Sequence, residues 1–175
     1  MLKGDKVMLR TYREKDLAEV FELARDFGDM GEFWPCDFMS EFKLEKSFRE
    51  DGCFGENSGG LLITTPEGRL LGQIFFFKGI PYGSGYEIGY RIFKPADMGK
   101  GYATDALRLM VGYLFERKPC DRIQATTIHG NTGSQRVIEK CGFRKEGMLR
   151  KAVFHKGRNR DLQMNSITRD EWEAR

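Results

Sequence analysis

The chain has 175 residues, with 40% apolar and 31% charged side chains, a size and balance suited to one folded domain spanning 1–175. Its 29 Lys plus Arg against 26 Asp plus Glu leave a net charge of +3, too small for a nucleic-acid coat. Its longest apolar runs, Leu61–Ile63 and Ile74–Phe77, are far shorter than the ~20 residues of a membrane span.

Taken in chain order, Val7–Arg10 reads as a short strand. A helix follows in which Leu17, Val20, Phe21 and Ala24 recur at helical spacing after Asp16. Residues 26–60 scatter Phe27, Phe33, Trp34, Phe38, Phe42, Phe48 and Phe54 among acidic residues and glycines, with a short helix expected near 43–50. That segment reads equally as a lid over a binding site or as a helix pair filling a core. Leu61–Thr65, the Pro66-Glu67-Gly68 turn and Arg69–Lys78 form a hairpin pattern. In Ser84–Phe93, Tyr86, Ile88, Tyr90 and Ile92 face one way, and Glu87, Gly89, Arg91 and Phe93 the other.

Beyond Pro95, the spacing predicts a helix from Gly101 to about Phe115, with Ala103, Ala106, Leu107, Met110, Val111 and Leu114 on its apolar stripe. A strand over 122–128, a helix over 132–140 and a strand over 143–149 follow. Val153–His155 and Leu162–Ile167 are expected to pair across Lys156-Gly157. This order implies a mixed α/β (α+β) sheet with helices on both faces, the helix from 101 crossing between parallel neighbours. Cys36, Cys53, Cys120 and Cys141 show neither a CxxC pair nor metal-ligand spacing with histidine, so no metal site is expected. Free thiols and an N-terminus without a signal-peptide core point to a cytoplasmic protein.

Between strand and helix lies Lys94-Pro95-Ala96-Asp97-Met98-Gly99-Lys100-Gly101-Tyr102-Ala103-Thr104. Gly99 and Gly101 let successive N–H groups turn toward one point at a helix N-terminus, where a pyrophosphate fits and Lys100 adds charge. A dinucleotide fingerprint would want Gly at position 104, a P-loop would want a Gly-Lys-Ser/Thr, and an ordinary tight turn wants only the glycines. About thirty residues on, Asn131-Thr132-Gly133-Ser134-Gln135-Arg136-Val137-Ile138-Glu139-Lys140-Cys141-Gly142-Phe143 reads as a capped helix running into a strand.

Together these segments resemble the GNAT (GCN5-related) N-acetyltransferase superfamily, through its Q/R-x-x-G-x-G/A loop and its N-x-x-[AS] helix. Glu87–Tyr90, Gly99–Thr104, Glu146–Arg150 and Ser166–Trp172 are most similar to the branch that acetylates ribosomal-protein N-termini. The resemblance implies a mostly antiparallel sheet in which one parallel strand pair splays to admit the pantetheine arm of acetyl-CoA, the expected cosubstrate. It assigns main-chain groups of Ile92 and Phe93 to the pantetheine, with the Phe93 region polarising the thioester carbonyl. The N–H groups of Met98, Gly99, Lys100, Gly101, Tyr102, Ala103 and Thr104 would hold the pyrophosphate, and Asn131 would contact the pantetheine.

Glu87 is the candidate base, its alternative being a structural carboxylate. Ser134 is the candidate partner of the thiolate, its alternative a helix-cap hydroxyl. Two departures stand out: Ile138 occupies the position where many members carry a Tyr acid, and Ala96 replaces Gln or Arg. Glu32 and Asp37 are candidates to attract a cationic acceptor, and His129 reads as packing or capping. No cysteine is placed as a nucleophile, so direct transfer to a primary amine is expected. A protein N-terminal α-amine comes first. A polyamine, antibiotic or amino sugar, or a non-catalytic CoA-binding role, is the alternative. Neither nucleic acid nor membrane is an expected partner, which leaves room for a homodimer.

Overall fold

The computed structural model describes residues 1–25, 31–34, 40–78 and 85–175. Its strands are β1 (Leu2–Lys3), β2 (Met8–Arg10), β3 (Ser58–Thr64), β4 (Leu70–Phe77), β5 (Tyr86–Ile92), β6 (Arg122–Ile128), β7 (Arg144–His155) and β8 (Arg158–Thr168). Its α-helices are α1 (Leu17–Arg25), α2 (Glu41–Asp51), α3 (Tyr102–Arg117), α4 (Thr132–Lys140) and α5 (Arg169–Glu173). The described strands form one sheet in the order β1-β2-β3-β4-β5-β6-β8-β7. Its neighbours pair antiparallel except β5 and β6, which run parallel on either side of the α3 crossover.

Strand alternation decides which helices lie on which face. Leu61, Ile63, Ile74, Phe76, Ile88 and Ile123 bury one face against Ala106, Leu107, Met110 and Leu114 of α3 and Ile138 of α4. Leu62 and Leu70, from the same hairpin, pack with Phe93 against Val20 and Ala24 of α1, with Leu44 of α2 beside them. The sheet thus carries helices on both faces. Asp105, in the first turn of α3, accepts from the Lys6 and Val7 N–H groups at 2.7 and 3.0 Å and so anchors that helix to the strand at the start of the chain.

The cysteine expectation holds for the described thiols: Cys53, Cys120 and Cys141 are free, and the last two are buried. Burial pushes the Cys141 thiol up to about 11. Cys36 lies outside the described residues, as do Phe27, Phe38, Asp37 and Ser84.

The C-terminal half departs most from the sequence-based expectation. The strands expected over 143–149 and 153–155 merge into one long strand, β7, which starts at Arg144 and is interrupted by a register shift between Leu149 and Val153. Lys151 takes a left-handed φ of 52° there, and its N–H is held by Asp161 Oδ1 at 2.8 Å. β7 is tied across β8 to β6 by Glu146, which accepts from Arg122 Nη2 and from the Ser166 hydroxyl, each at 2.6 Å.

The Arg122 guanidinium and the Ser166 hydroxyl hold the Glu146 carboxyl down to about 2. A depressed carboxylate stabilises the fold above its ordinary value near ~4.3 and loses that contribution as pH falls through the folded-state value. Glu146→Gln should therefore lower the thermal midpoint at neutral pH, with the deficit shrinking between about pH 4.5 and 2. Parallel melts of the two proteins across that range check this; a deficit independent of pH would show that the carboxylate charge contributes nothing.

Candidate active site

β5 and β6 pair over only two register positions, Tyr86 with Ile123 and Glu87 with Gln124. β5 then continues for five more residues and β6 for four, with no partner on each other, so a gap opens toward their C-terminal ends. Antiparallel pairing to β4 decides which main-chain groups face that gap. The Phe93 N–H donates to the Leu71 carbonyl at 2.9 Å, and Ile92 sits opposite Gly72. In an antiparallel ladder the groups alternate, so those of Ile88, Tyr90 and Ile92 turn from β4 toward the gap.

The gap is the floor of a cleft of about 740 Å³. Its walls include Phe33 and Trp34 before α2, Phe75 and Phe77 of β4, and Val153 and Leu162 of the β7–β8 hairpin. His155 Nε2 meets the Glu32 carbonyl at 2.6 Å and clasps that hairpin to the segment before α2.

Of the residues singled out from the sequence, Glu87, Ile92, Met98, Gly99, Gly101, Tyr102, Ala103, Thr104, Asn131 and Ser134 all line this cleft, as does Glu32. The mouth of α3 has the required backbone: Gly99 and Gly101 take φ of 76° and 87°, and Gly101 is the residue preceding the first turn. The N–H groups of that first turn have no intrahelical acceptor. Lys100 and Phe93 lie elsewhere. Lys100 reaches Asp97 at 3.5 Å, beside an Arg69–Asp97 pair at 2.7 Å, so its charge is turned to a carboxylate. Phe93 spends its N–H on Leu71 and buries its ring under α1, which leaves Ile92 to serve the gap. His129 is exposed and is not a wall of the cleft.

Glu87 stands on the α1 face of the sheet, where Thr126 donates its hydroxyl to Oε1 at 2.8 Å and Gln124 Nε2 donates to Oε2 at 2.9 Å. Both donors come from β6, so the carboxylate is fixed at the apex of the splay. Asn131 caps α4, its Oδ1 accepting from the Ser134 N–H at 3.1 Å, so any bond to a bound amide falls to Nδ2. Two polar groups in the cleft were not legible as functional in the sequence. Tyr90 Oη lies 2.8 Å from Ser134 Oγ. Thr127 is 4% exposed, and among the described residues its Oγ1 has no hydrogen-bond partner. A buried orphan hydroxyl on the wall of a gap edged by unpaired strand amides suits an amide-bearing arm lying between β5 and β6.

The comparisons agree with this geometry. The family model described as an acetyltransferase (GNAT) domain matches residues 6–144. The chain is 33% identical over 181 residues to a probable N-acetyltransferase, YjcK, of Bacillus subtilis, covering 95% of this chain and 96% of that one. It is 24% identical over 190 residues to the [ribosomal protein uS5]-alanine N-acetyltransferase of Escherichia coli, covering 98% and 92%. A solved spermidine N-acetyltransferase from Vibrio cholerae, in complex with CoA and spermine, superposes with a TM-score of 0.82 over 95% of this chain and 98% of that one. At 21% identity, that likeness is one of fold.

Proposed function

The chain belongs to the GNAT acetyltransferase family and is an N-acyltransferase with acetyl-CoA as cosubstrate, and from that premise we propose that its acceptor is a protein N-terminal α-amine. The observation that carries this reading is the make-up of the cleft on the Glu87 side. The walls there are the rings of Phe33, Trp34, Phe75 and Phe77, with Glu32 and Glu87 as the described carboxylates. A polyamine brings several cations and calls for as many anions. An N-terminus brings one, followed by an uncharged main chain that aromatic walls accommodate. An α-amine, with a pKa near ~8, is also about 10% neutral at pH 7, far more than an alkylamine with a pKa near ~10.4. The likeness to a ribosomal-protein alanine acetyltransferase supports the same class.

In this reading the pyrophosphate of acetyl-CoA rests on the N–H groups at the mouth of α3, around Gly99, Gly101, Tyr102, Ala103 and Thr104. Asn131 Nδ2, Thr127 Oγ1 and the gap-facing groups of Ile92 hold the pantetheine. The acceptor enters from the α1 face. There Glu87, directly or through one water, takes the ammonium proton of the acceptor, and the freed nitrogen lone pair then bonds the acetyl carbon as a second amine proton passes to water. The carbon–sulfur pair leaves with sulfur, and the Ser134 hydroxyl bonds the departing thiolate from the opposite face. The thiolate then takes its proton from water. None of the described cysteines lines the cleft, in keeping with direct transfer.

The test is a thiol-release assay of the purified protein with acetyl-CoA against peptides beginning with Ala or Ser, spermidine, an aminoglycoside and an amino sugar. Peptides should exceed spermidine in kcat/KM by at least about tenfold, one charged contact's worth of discrimination. A preference for spermidine would overturn the acceptor assignment. Retention of CoA with no transfer to any amine would overturn catalysis by this chain.

A further inference from the structure

Ile138 has no proton to give, and the phenol that reaches α4 in the cleft comes instead from Tyr90 of β5. Tyr90 follows Tyr86 and Ile88 in the alternation that faces α3 and α4. Its Oη lies 3.2 Å from the Ser134 carbonyl oxygen and 2.8 Å from Ser134 Oγ, across 44 residues of chain. Both residues line the cleft on the face opposite Glu87.

The phenol has one hydrogen and two acceptors within reach, which defines two arrangements. In one, Tyr90 donates to the Ser134 carbonyl and the serine hydroxyl donates to Tyr90 Oη, so Ser134 has nothing to offer a ligand. In the other, Tyr90 donates to Ser134 Oγ and the serine hydrogen is free for the cleft. We propose that Tyr90 is the positioning residue for Ser134, turning its hydrogen from the carbonyl to Oγ so that the serine hydroxyl bonds the sulfur of departing CoA. This rests on the role given to Ser134 above.

Neither side chain loses its proton. The nitrogen–carbon bond forms, the carbon–sulfur bond breaks with its electron pair on sulfur, and water later supplies the thiol hydrogen. Burial pushes the Tyr90 phenol above its ordinary range, which suits a donor that stays protonated throughout. A donor that is itself a hydrogen-bond acceptor is polarised by the bond it receives, so the serine bond to sulfur strengthens as the tyrosine bond forms.

The experiment compares Tyr90→Phe, Ser134→Ala and the double variant. Tyr90→Phe should lower kcat about tenfold while the KM for acetyl-CoA and for the acceptor stay within about twofold, and the double variant should be no slower than Ser134→Ala. The second readout is the ultraviolet thiolate absorbance of bound CoA, with desulfo-CoA as blank. The thiol pKa of bound CoA should rise by about one unit in Tyr90→Phe, a shift that loss of packing alone would not produce. An unchanged kcat in Tyr90→Phe beside a slowed Ser134→Ala would overturn the inference and leave the Ser134 role standing. An inert Ser134→Ala would remove the Ser134 role and this inference with it. Additive losses, or a thiol pKa that does not move, would show that Tyr90 does not act through Ser134.

Discussion

Gly101→Val is expected to weaken CoA binding about a hundredfold while leaving the protein folded. Gly101 precedes the first turn of α3 with φ of 87° and ψ of 1°, a left-handed conformation that a β-branched residue adopts only at a cost of about 1–3 kcal/mol. The space outside the backbone is not the obstacle. The nearest atom to a Cβ built there is Lys6 Nζ at 3.1 Å, the end of a flexible side chain. The strain is instead relieved by rotating the turn, and the N–H groups that follow rotate with it. Each bond from such a group to a phosphate oxygen contributes about 1.5–3 kcal/mol, so misaligning one or two accounts for the hundredfold loss. Calorimetry with CoA and with pantetheine separates local from global damage: pantetheine, which lacks the pyrophosphate, should bind the variant as it binds the native protein. Unaltered CoA affinity would mean that the mouth of α3 does not hold the cofactor.

Elements with strong local signals were legible in the sequence. β6 and α4 run over Arg122–Ile128 and Thr132–Lys140 as expected, because the capping residue Asn131 and the left-handed Gly142 bound the helix on both sides. β7 was not legible as one strand. It is an exposed edge in which Arg150, Lys151 and Ala152 carry no alternation, and it holds together through the Lys151–Asp161 bond and its pairing with β8. α5 has five residues, too few for a periodicity, and is placed by the contact of Trp172 with Phe115 at 5.4 Å between ring centres.

The site shows the same division. The glycine loop is a local pattern, so its residues could be named from the sequence. Tyr90 belongs to the alternating set of Tyr86, Ile88 and Ile92 and reads as core until α4 is packed against it. Only the three-dimensional pairing shows its hydroxyl beside Ser134. The added charge expected of Lys100 and the pantetheine contact that the resemblance implied for the Phe93 N–H meet competing partners: Asp97 takes the Lys100 ammonium and the Leu71 carbonyl takes the Phe93 amide. Spacing along the chain does not reveal which neighbour claims a group first.

Glu87→Gln should lower turnover at pH 7 by about tenfold, because only about 10% of an α-amine with a pKa near ~8 is already neutral there, with CoA affinity unchanged. The substitution is mild for the fold. A glutamine amide oxygen still accepts from one of the two donors, and Thr126 can rotate its hydroxyl or Gln124 flip its amide to accept from the new NH₂. What is lost is the ability to take a proton. The variant must therefore wait for the acceptor to deprotonate in solution. Its rate should climb with pH until the α-amine is neutral, near ~8, and the gap to the native enzyme should narrow over that interval. The sign separates two roles for this carboxylate. A base becomes dispensable once the amine has already lost its proton, so the deficit shrinks as pH rises. A carboxylate that only holds β6 against β5 matters equally at every pH, so its loss gives a deficit that is flat and accompanied by a lower melting temperature. Rate profiles of both proteins with one peptide acceptor, at saturating acetyl-CoA, distinguish the two outcomes; a flat deficit would remove Glu87 as the base and leave it as a strut at the apex of the splay.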